Sequence, residues 1–587
     1  MSASPLPLWK KLLFSLLATG LFFGGLELLL AGLGIEPVLY ESDPYVGFAS
    51  AVSHFVSTQR ADGSEVLETA VNKRRLFNVQ SFARFKPEGT YRIFCLGGST
   101  TYGRPYGDGT SFCGWLREFL PVADPSRTWE VVNAGGISYA SYRVALLMEE
   151  LLRYEPDLFI VYSGHNEFLE QRTYGEILAY PRALRGLGAL ASRTRLFTAG
   201  QQALARARSR EGSAPATELG DEVRTLLDAS VGPSAYHRDE ALQGKVLQHF
   251  RFSLTRMVEM ARSAGAEILL INPASNLRHC SPFKSEPGDG LSEASRPDWE
   301  ERFAAAGQAV SASRWQEALA ALDEAAALDD RHAELHFHRG RALDALGRHE
   351  AAKLAFERAR DEDVCPLRAL GPTSRIVADV AHRGAVPMVD FASMVEERSP
   401  QGIAGEDLFL DHVHPTIEGH RLLALEILQI LEREGVVRPV ADWGEGSIRR
   451  VQQAVEDQID PAAHGMALSQ LSRVLGWAGK LEEARKLAIR STELAPNLAP
   501  VQHQAALSAH LTGHLDEAIL HYRHTLELDP RTATAHSNLA VILDDAGEVT
   551  EAARHYRHAI ALLSDKNAAY RQRLREKLAA LEARRGV

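Results

Sequence analysis

The sequence predicts an α/β protein with a three-layer domain on a parallel sheet, joined to an all-α solenoid and preceded by a transmembrane helix. Three observations point there. Short unbroken apolar runs alternate with helical stretches from Tyr91 to about His279. Gly479, Gly513 and Gly547 recur at a step of 34 residues. A long apolar stretch, Leu12 to Gly34, follows Lys10 and Lys11.

The N-terminal stretch has the ~20 apolar residues a bilayer crossing needs. Glu27 is its one charge. It is longer than a signal-peptide apolar region and no A-x-A site follows, so it reads as an uncleaved signal anchor in preference to a cleaved peptide. The lysines precede the span, which keeps the N-terminus cytoplasmic. Everything after Gly34 then lies outside. The expected location is the inner (cytoplasmic) membrane, single-pass, with the remaining domains extracytoplasmic. The net charge of -11 and pI near 6.1 argue against a nucleic-acid partner. Four cysteines are too few for a disulfide scaffold, and no Cys/His spacing suggests a metal.

Five strands are expected, at "YRIFCLGG", "TWEVVNAGG", "DLFIVYSG", "AEILLINPAS" and "AVPMVDFAS". The first, third and fourth are continuous apolar runs, as in a sheet covered on both faces. Helices such as "SYRVALLMEELLRYEP" lie between. An Ala/Arg-rich helical insertion over about 170–241 reads as a lid, a membrane-facing surface or plain decoration. A second insertion resembles the C-terminal part of the chain. The expected division is 1–40 cytoplasmic tip and anchor, 41–89 linker or pre-domain segment, and 90–297 the first part of the α/β domain. Then come 298–363 inserted helices, 364–437 the final part of the domain, 438–462 linker, and 463–587 repeats with a capping helix.

The C-terminal units "GKLEEARKLAIRSTELAPN", "GHLDEAILHYRHTLELDPR" and "GEVTEAARHYRHAIALL" keep Ala484, Ala518 and Ala552 in step, with Pro496 and Pro530. They resemble the tetratricopeptide repeat, in which each unit is a helical hairpin. Small alanines let the helices approach and proline ends the second one. The insert carries a looser version, about two units. Stacked repeats leave a concave groove, which implies a protein partner; a structural spacer is the other reading.

"IFCLGGSTTYG" places Ser99 on a sharp turn after the first strand. A nucleophilic serine needs a base, an orienter and oxyanion donors. "DLFLDHVHPTIEGH" offers His414 as base and Asp411 to fix its tautomer, with His412 and His420 as competitors; His420 reads as a surface helix histidine. Asn166 in "SGHNEF" and the backbone N–H groups of "NAGGISYAS" are candidate donors. No G-x-S-x-G surrounds a candidate serine, and the Gly-rich turn lacks the lysine of a phosphate loop.

Together these blocks resemble the SGNH, or GDSL-type, hydrolases. "GGSTTYG" looks like the first block, with Gly98 where Asp usually stands. "GHNE" looks like the G-x-N-D block, with Glu167 for Asp. "DHVHP" looks like the last. The resemblance covers about 90–280 and 365–435 and implies a flavodoxin-like parallel sheet. It implies that Ser99 attacks an ester carbonyl, that His414 takes and returns the proton, and that Asp411 orients His414. The second block departs. Counting from Asn133, the family's oxyanion glycine falls on Ser138 instead of Gly135 or Gly136. The donor set implied is Ser99, Asn166, and Ser138 or Gly136. No metal or cofactor is implied.

Cys280 and Cys365 flank the insert, and read either as a disulfide clasp or as two unpaired buried thiols. Arg278, Lys284 and Arg368 lie at the same junctions and are candidates for binding an acidic substrate group. The expectation is a membrane-anchored esterase or deacylase acting on an ester, such as an O-acyl group of a cell-surface glycan or lipid. The alternatives are an acyltransferase with the same triad, or an envelope scaffold with an inactive hydrolase domain.

Overall fold

The structure is a computed structural model that describes residues 7–35, 53–60, 62–169, 194–200, 236–564 and 567–585. Most of the 170–241 insertion lies outside the described residues.

Helix α1 (Leu8–Gly32) contains a 20-residue stretch, Leu13–Gly32, of mean hydropathy 1.9 that the rest of the described chain leaves uncovered. It is long and apolar enough to cross a membrane, or to serve as a signal sequence. The Glu27 carboxylate accepts the backbone N–H groups of Arg195 at 3.0 Å and Leu196 at 2.9 Å.

Strands β1 (Phe55–Gln59), β2 (Glu65–Thr69) and β3 (Ser81–Ala83) form a small antiparallel sheet. Of the two readings of 41–89, these strands fit a pre-domain segment and not a linker. Phe55, Leu67 and Phe82 are buried and pack with Phe94 and Phe159 of the main sheet.

The main sheet contains β4 (Thr90–Gly97), followed by α2 (Ser99–Tyr102) and α3 (Phe112–Ala123). Next are β5 (Thr128–Gly135), α4 (Ser141–Leu151), β6 (Leu158–Tyr162), α5 (Glu240–Ser263) and β7 (Glu267–Asn272). The insert interrupts it here, as hairpins α6 (Arg296–Ser311)–α7 (Trp315–Ala326) and α8 (Ala333–Ala345)–α9 (His349–Asp361). Helix α10 (Gly371–Gly384) and β8 (Met388–Asp390) complete the sheet, and α11 (Phe391–Arg398) and α12 (Ile417–Arg433) follow. The strand order is β5-β4-β6-β7-β8, all parallel.

Alternation explains the continuous apolar runs. Ile93 and Cys95 of β4 face one core with α3, α11 and α12; Phe94 and Leu96 face the other with α4, α5 and α10. Both faces are covered, so the run Ile93–Leu96 is apolar at every position. Helix α13 (Glu445–Glu456) adds Val451 and Val455 to the first core, and Trp443 meets Phe119 edge-on. The 438–462 stretch is therefore part of the domain and not the expected linker.

The C-terminal array pairs α14 (Pro461–Trp477) with α15 (Leu481–Leu494) and α16 (Ala499–Leu511) with α17 (Leu515–Leu528). It ends with α18 (Ala533–Asp545) paired to α19 (Val549–Leu562), and α20 (Ala568–Arg585). Gly479, Gly513 and Gly547 turn each hairpin at φ of 81°, 79° and 82°, in the left-handed region that glycine enters freely. Ala484, Ala518 and Ala552 are buried where the paired helices touch. Pro496 and Pro530 stand just past α15 and α17.

The insert is clasped at its base, but not by sulfur. Cys280 and Cys365 are unbridged; the Cys280 thiol donates to the Ser281 carbonyl. Of the two readings of this pair, the disulfide clasp is corrected. The buried Asp363 carboxylate makes the clasp instead, accepting the N–H groups of Phe283 at 2.7 Å, Lys284 at 3.0 Å and Cys365 at 3.0 Å. One carboxylate thereby satisfies donors on both chain crossings.

Candidate active site

Ser99 is the first residue of α2, a single turn set against the C-terminal end of β4. Ligand sites of open parallel sheets lie at this edge. The chain approaches Asn166 closely here. A Cβ on Gly98 would stand 2.5 Å from the Asn166 amide nitrogen. Glycine at 98 lets the Asn166 amide stand this close.

The Asp411–His414 loop is a tight hairpin. Leu410 N–H donates to the His414 carbonyl at 2.8 Å, and Thr416 caps α12 through the Gly419 N–H. Asp411 Oδ1 accepts the N–H groups of Val413 and His414, each at 2.8 Å. Its Oδ2 lies 2.6 Å from His414 Nδ1. His414 Nε2 lies 2.8 Å from Ser99 Oγ. The three side chains thus form one line across residues 315 positions apart. Burial alone would raise the Asp411 carboxyl; the charges of His414 and His412 and their hydrogen bonds hold it well below the usual carboxylate range. A carboxylate held ionised keeps the proton of His414 on Nδ1 and leaves Nε2 as acceptor for the Ser99 proton.

Ser138, Gly136 and Asn166 are the expected N–H sources besides Ser99. Ser138 sits at φ 62°, a left-handed conformation uncommon outside glycine. This fits its place at the position where the family carries glycine. The buried Arg143 guanidinium donates to the Ser138 carbonyl and stacks 4.1 Å over the Tyr139 ring, fixing the loop. The Gly136 N–H donates to the Gly97 carbonyl at 3.0 Å, so Gly136 is not an oxyanion donor. This corrects one of the two alternatives. Asn166 gives one amide hydrogen to the Tyr139 carbonyl at 3.1 Å, and the other remains. Glu167, in place of the family's aspartate, ties the two loops together: it accepts the Ser141 N–H at 3.0 Å and the Ser141 hydroxyl at 2.7 Å.

The competing histidines have other places. His412 Nδ1 is 3.5 Å from Asp411 Oδ2, longer than the His414 contact by nearly an ångström. His420 is on α12 as expected but is buried, stacked on Phe112, with neither ring nitrogen hydrogen-bonded. Burial pushes it down to about 3. It is a core residue and not a surface one. His165 stands beside the site and was not singled out from sequence. Its Nδ1 accepts the Ala369 N–H at 3.1 Å, and burial pushes it down to about 3.

The three basic candidates for substrate binding are structural. Arg368 is buried and donates to the carbonyls of Asn276 and Cys280. Arg278 pairs with Asp344 of α8 at 2.7 Å and bonds Gln401. Lys284 pairs with Glu286 at 3.0 Å. Each is consumed by the junction between insert and domain, which sequence adjacency alone could not reveal.

The family model of the tetratricopeptide repeat matches residues 333–359, the α8–α9 hairpin. Among solved structures the chain is similar to a GDSL-like lipase from Bacteroides thetaiotaomicron, at 12% identity and TM-score 0.26, over 60% of this chain and 93% of that one. It is similar to an acetylxylan esterase from Geobacillus stearothermophilus, at 13% identity and TM-score 0.25, over 59% of this chain and 95% of that one. It is also similar to a type III secretion translocator chaperone from Yersinia enterocolitica, at 20% identity and TM-score 0.21, over 24% of this chain and 97% of that one. Comparison with curated proteins gives no match.

Proposed function

We propose that the protein is a serine hydrolase of SGNH type that cleaves an ester. The observation that carries this reading is the continuous Ser99–His414–Asp411 line, at 2.8 Å and 2.6 Å. Ser99 Oγ attacks the acyl carbonyl as its proton passes to His414 Nε2. The oxyanion is held by the N–H groups of Ser99 and Ser138 and by the Asn166 amide. Collapse breaks the ester C–O bond, and the alcohol departs with the proton from His414. Water then attacks the acyl-enzyme with His414 as base, and Ser99 is regenerated.

Helix α1 acts as a membrane anchor, and Lys10 and Lys11 hold its start on the cytoplasmic side. The hydrolase and both repeat regions then lie outside the cytoplasm, where an O-acylated glycan or lipid is the reachable ester. The C-terminal repeats supply a surface for a protein partner.

A fluorophosphonate probe should label Ser99 in the full chain, and p-nitrophenyl acetate should be turned over. Ser99→Ala and His414→Ala should each lower kcat by roughly 10³-fold or more. A folded wild type that neither labels nor turns over would leave a scaffold as the function.

A further inference from the structure

The first C-terminal hairpin, α14–α15, does not stand apart from the hydrolase. Its His464 stacks on Tyr106 at 4.2 Å between ring centroids. Leu468, Leu471 and Leu475 pack with Tyr106 and with Leu410, the residue before Asp411. Lys480 is buried, donates to the Ser281 hydroxyl at 2.7 Å and to the Pro282 carbonyl, and lies 5.0 Å over the Phe283 ring. Between this hairpin and the loop that carries Asp411 and His412 is a cleft of about 370 Å³. That is room for one or two sugar rings and falls in the ordinary range of ligand sites.

We propose that this cleft is the subsite for the alcohol half of the ester, that this half is an acidic sugar, and that Arg490 of α15 holds its carboxylate. The assignment rests on the hydrolase reading above. Place comes first. His414 gives its proton to the departing alcohol, and the cleft opens beside the loop that bears His414. None of Ser99, Ser138, Asn166 or His414 lines the cleft, so the alcohol that fills it is one long enough to extend from the reacting oxygen past the Asp411–His412 loop.

The lining chemistry comes next. Phe409, Leu475 and Leu487 offer apolar area for the C–H faces of a sugar. Asn276 and His412 offer polar groups. A mixed lining of this sort suits a polyhydroxylated ring better than an acyl chain.

Charge then selects the sugar. Lys480 is engaged with Ser281 and Pro282. Lys486 faces Glu406 at 3.3 Å. Glu483 accepts from Ser281, and Asp411 accepts from His414. Arg490 alone among the cleft's cations makes no hydrogen bond or ion pair to a described residue. One uncommitted guanidinium, in a cleft also lined by the carboxylates of Glu406 and Glu483, matches a monoanion better than a phosphate dianion, which those carboxylates would repel more strongly. A guanidinium also fits a planar carboxylate with two parallel hydrogen bonds.

The test measures acetate release by the full chain from chemically O-acetylated polygalacturonate and O-acetylated xylan, with p-nitrophenyl acetate as the small neutral ester. Arg490→Ala should lower kcat/KM on the acidic polymer by about tenfold, mostly through KM, and leave the other two within about twofold. Arg490→Lys should recover part of the loss, and added salt should reproduce it in the wild type. Equal losses on all three esters, or none on the acidic polymer, would overturn the assignment while the hydrolase reading stands. A wild type inert to p-nitrophenyl acetate and to the fluorophosphonate would overturn both.

Discussion

The two repeat regions have the same local geometry and opposite boundary conditions. In the C-terminal array the hairpin turns are Gly479, Gly513 and Gly547; in the insert they are Ser313 and Gly347, also 34 residues apart. All five are left-handed, with φ from 56° at Ser313 to 82° at Gly547. A buried alanine follows each by five residues, including Ala318 and Ala352. What the hairpin requires is a backbone conformation, and glycine is only its cheapest solution. The array is tied to the hydrolase at one end, through Tyr106 and Leu410, and closed at the other by α20. The insert is held at both ends, by Asp363 at its base, Arg278–Asp344, and Arg238–Glu362 at 2.8 Å. A segment fixed at both ends loses less entropy on ordering, so it tolerates a strained serine that the array avoids.

The largest expected effect breaks the insert's boundary. Asp363→Ala leaves three backbone donors on two chain crossings without their acceptor. Each buried, unmade bond costs about 1–3 kcal/mol, so a loss of about 3 kcal/mol or more is expected. Hydrogen exchange should rise across α6–α9 and the Asp411–His414 loop, and remain low in α16–α19. Burial raises the Asp363 carboxyl; Asp363→Asn, which keeps an uncharged acceptor, should therefore cost less than half as much. Uniform loosening of both repeat regions would contradict the clasp.

How much of this was legible in the sequence follows from the same comparison. The array was readable because glycine, alanine and proline all kept phase. The insert was readable only loosely, since Ser313 hides the turn that Gly347 shows. The β-strands were legible as apolar runs, because a sheet covered on both faces permits nothing else. Ser99, Asp411 and His414 were found from short motifs whose spacing survives in any fold of this kind. The roles of Arg278 and Arg368 were not, because their partners are 66 or more positions away. Gly136 failed as a donor for a reason no spacing carries: Gly97 takes its N–H. The three-stranded sheet of 55–83 was missed because its strands are short and carry few apolar residues in no regular alternation.

A second, smaller effect compares the two regions under acid. In the insert, burial pushes His332 down to about 4, in a pocket made by Trp299 and Phe303. In the array, burial and then the charge of His536 push His555 down to about 4. Both folded values lie below the unfolded 6.5, so below pH 6.5 the unfolded chain binds more protons than the folded one. Stability is therefore full above about pH 6.5 and is lost as pH falls from there to about 4. Each histidine should cost about 1–2 kcal/mol at pH 5. His332→Phe should lessen the acid sensitivity of α6–α9 only, and His555→Phe that of α18–α19 only, as read by hydrogen exchange at pH 7 and pH 5; His336, His338 and His536, also pushed down by burial, carry the remainder. If either variant protects both regions, the two would be one cooperative unit.

The smallest effect exchanges the turn residues themselves. Nothing stands within 4 Å of a Cβ added at Gly513, so Gly513→Ser changes only the backbone preference and should destabilise the array by about 1 kcal/mol. Ser313→Gly relieves the same strain in the insert. It also frees the unfolded chain, which offsets about 0.4–1 kcal/mol of the gain. The expected result is a change of opposite sign and smaller size. Chemical denaturation of the two variants beside the wild type would measure both. If Ser313→Gly destabilises as much as Gly513→Ser, the serine side chain contributes a contact of its own, and the insert's departure from glycine is selected for that contact. If it stabilises, then fixing both ends is what lets the insert carry the strained residue, and the two regions differ in their boundaries alone.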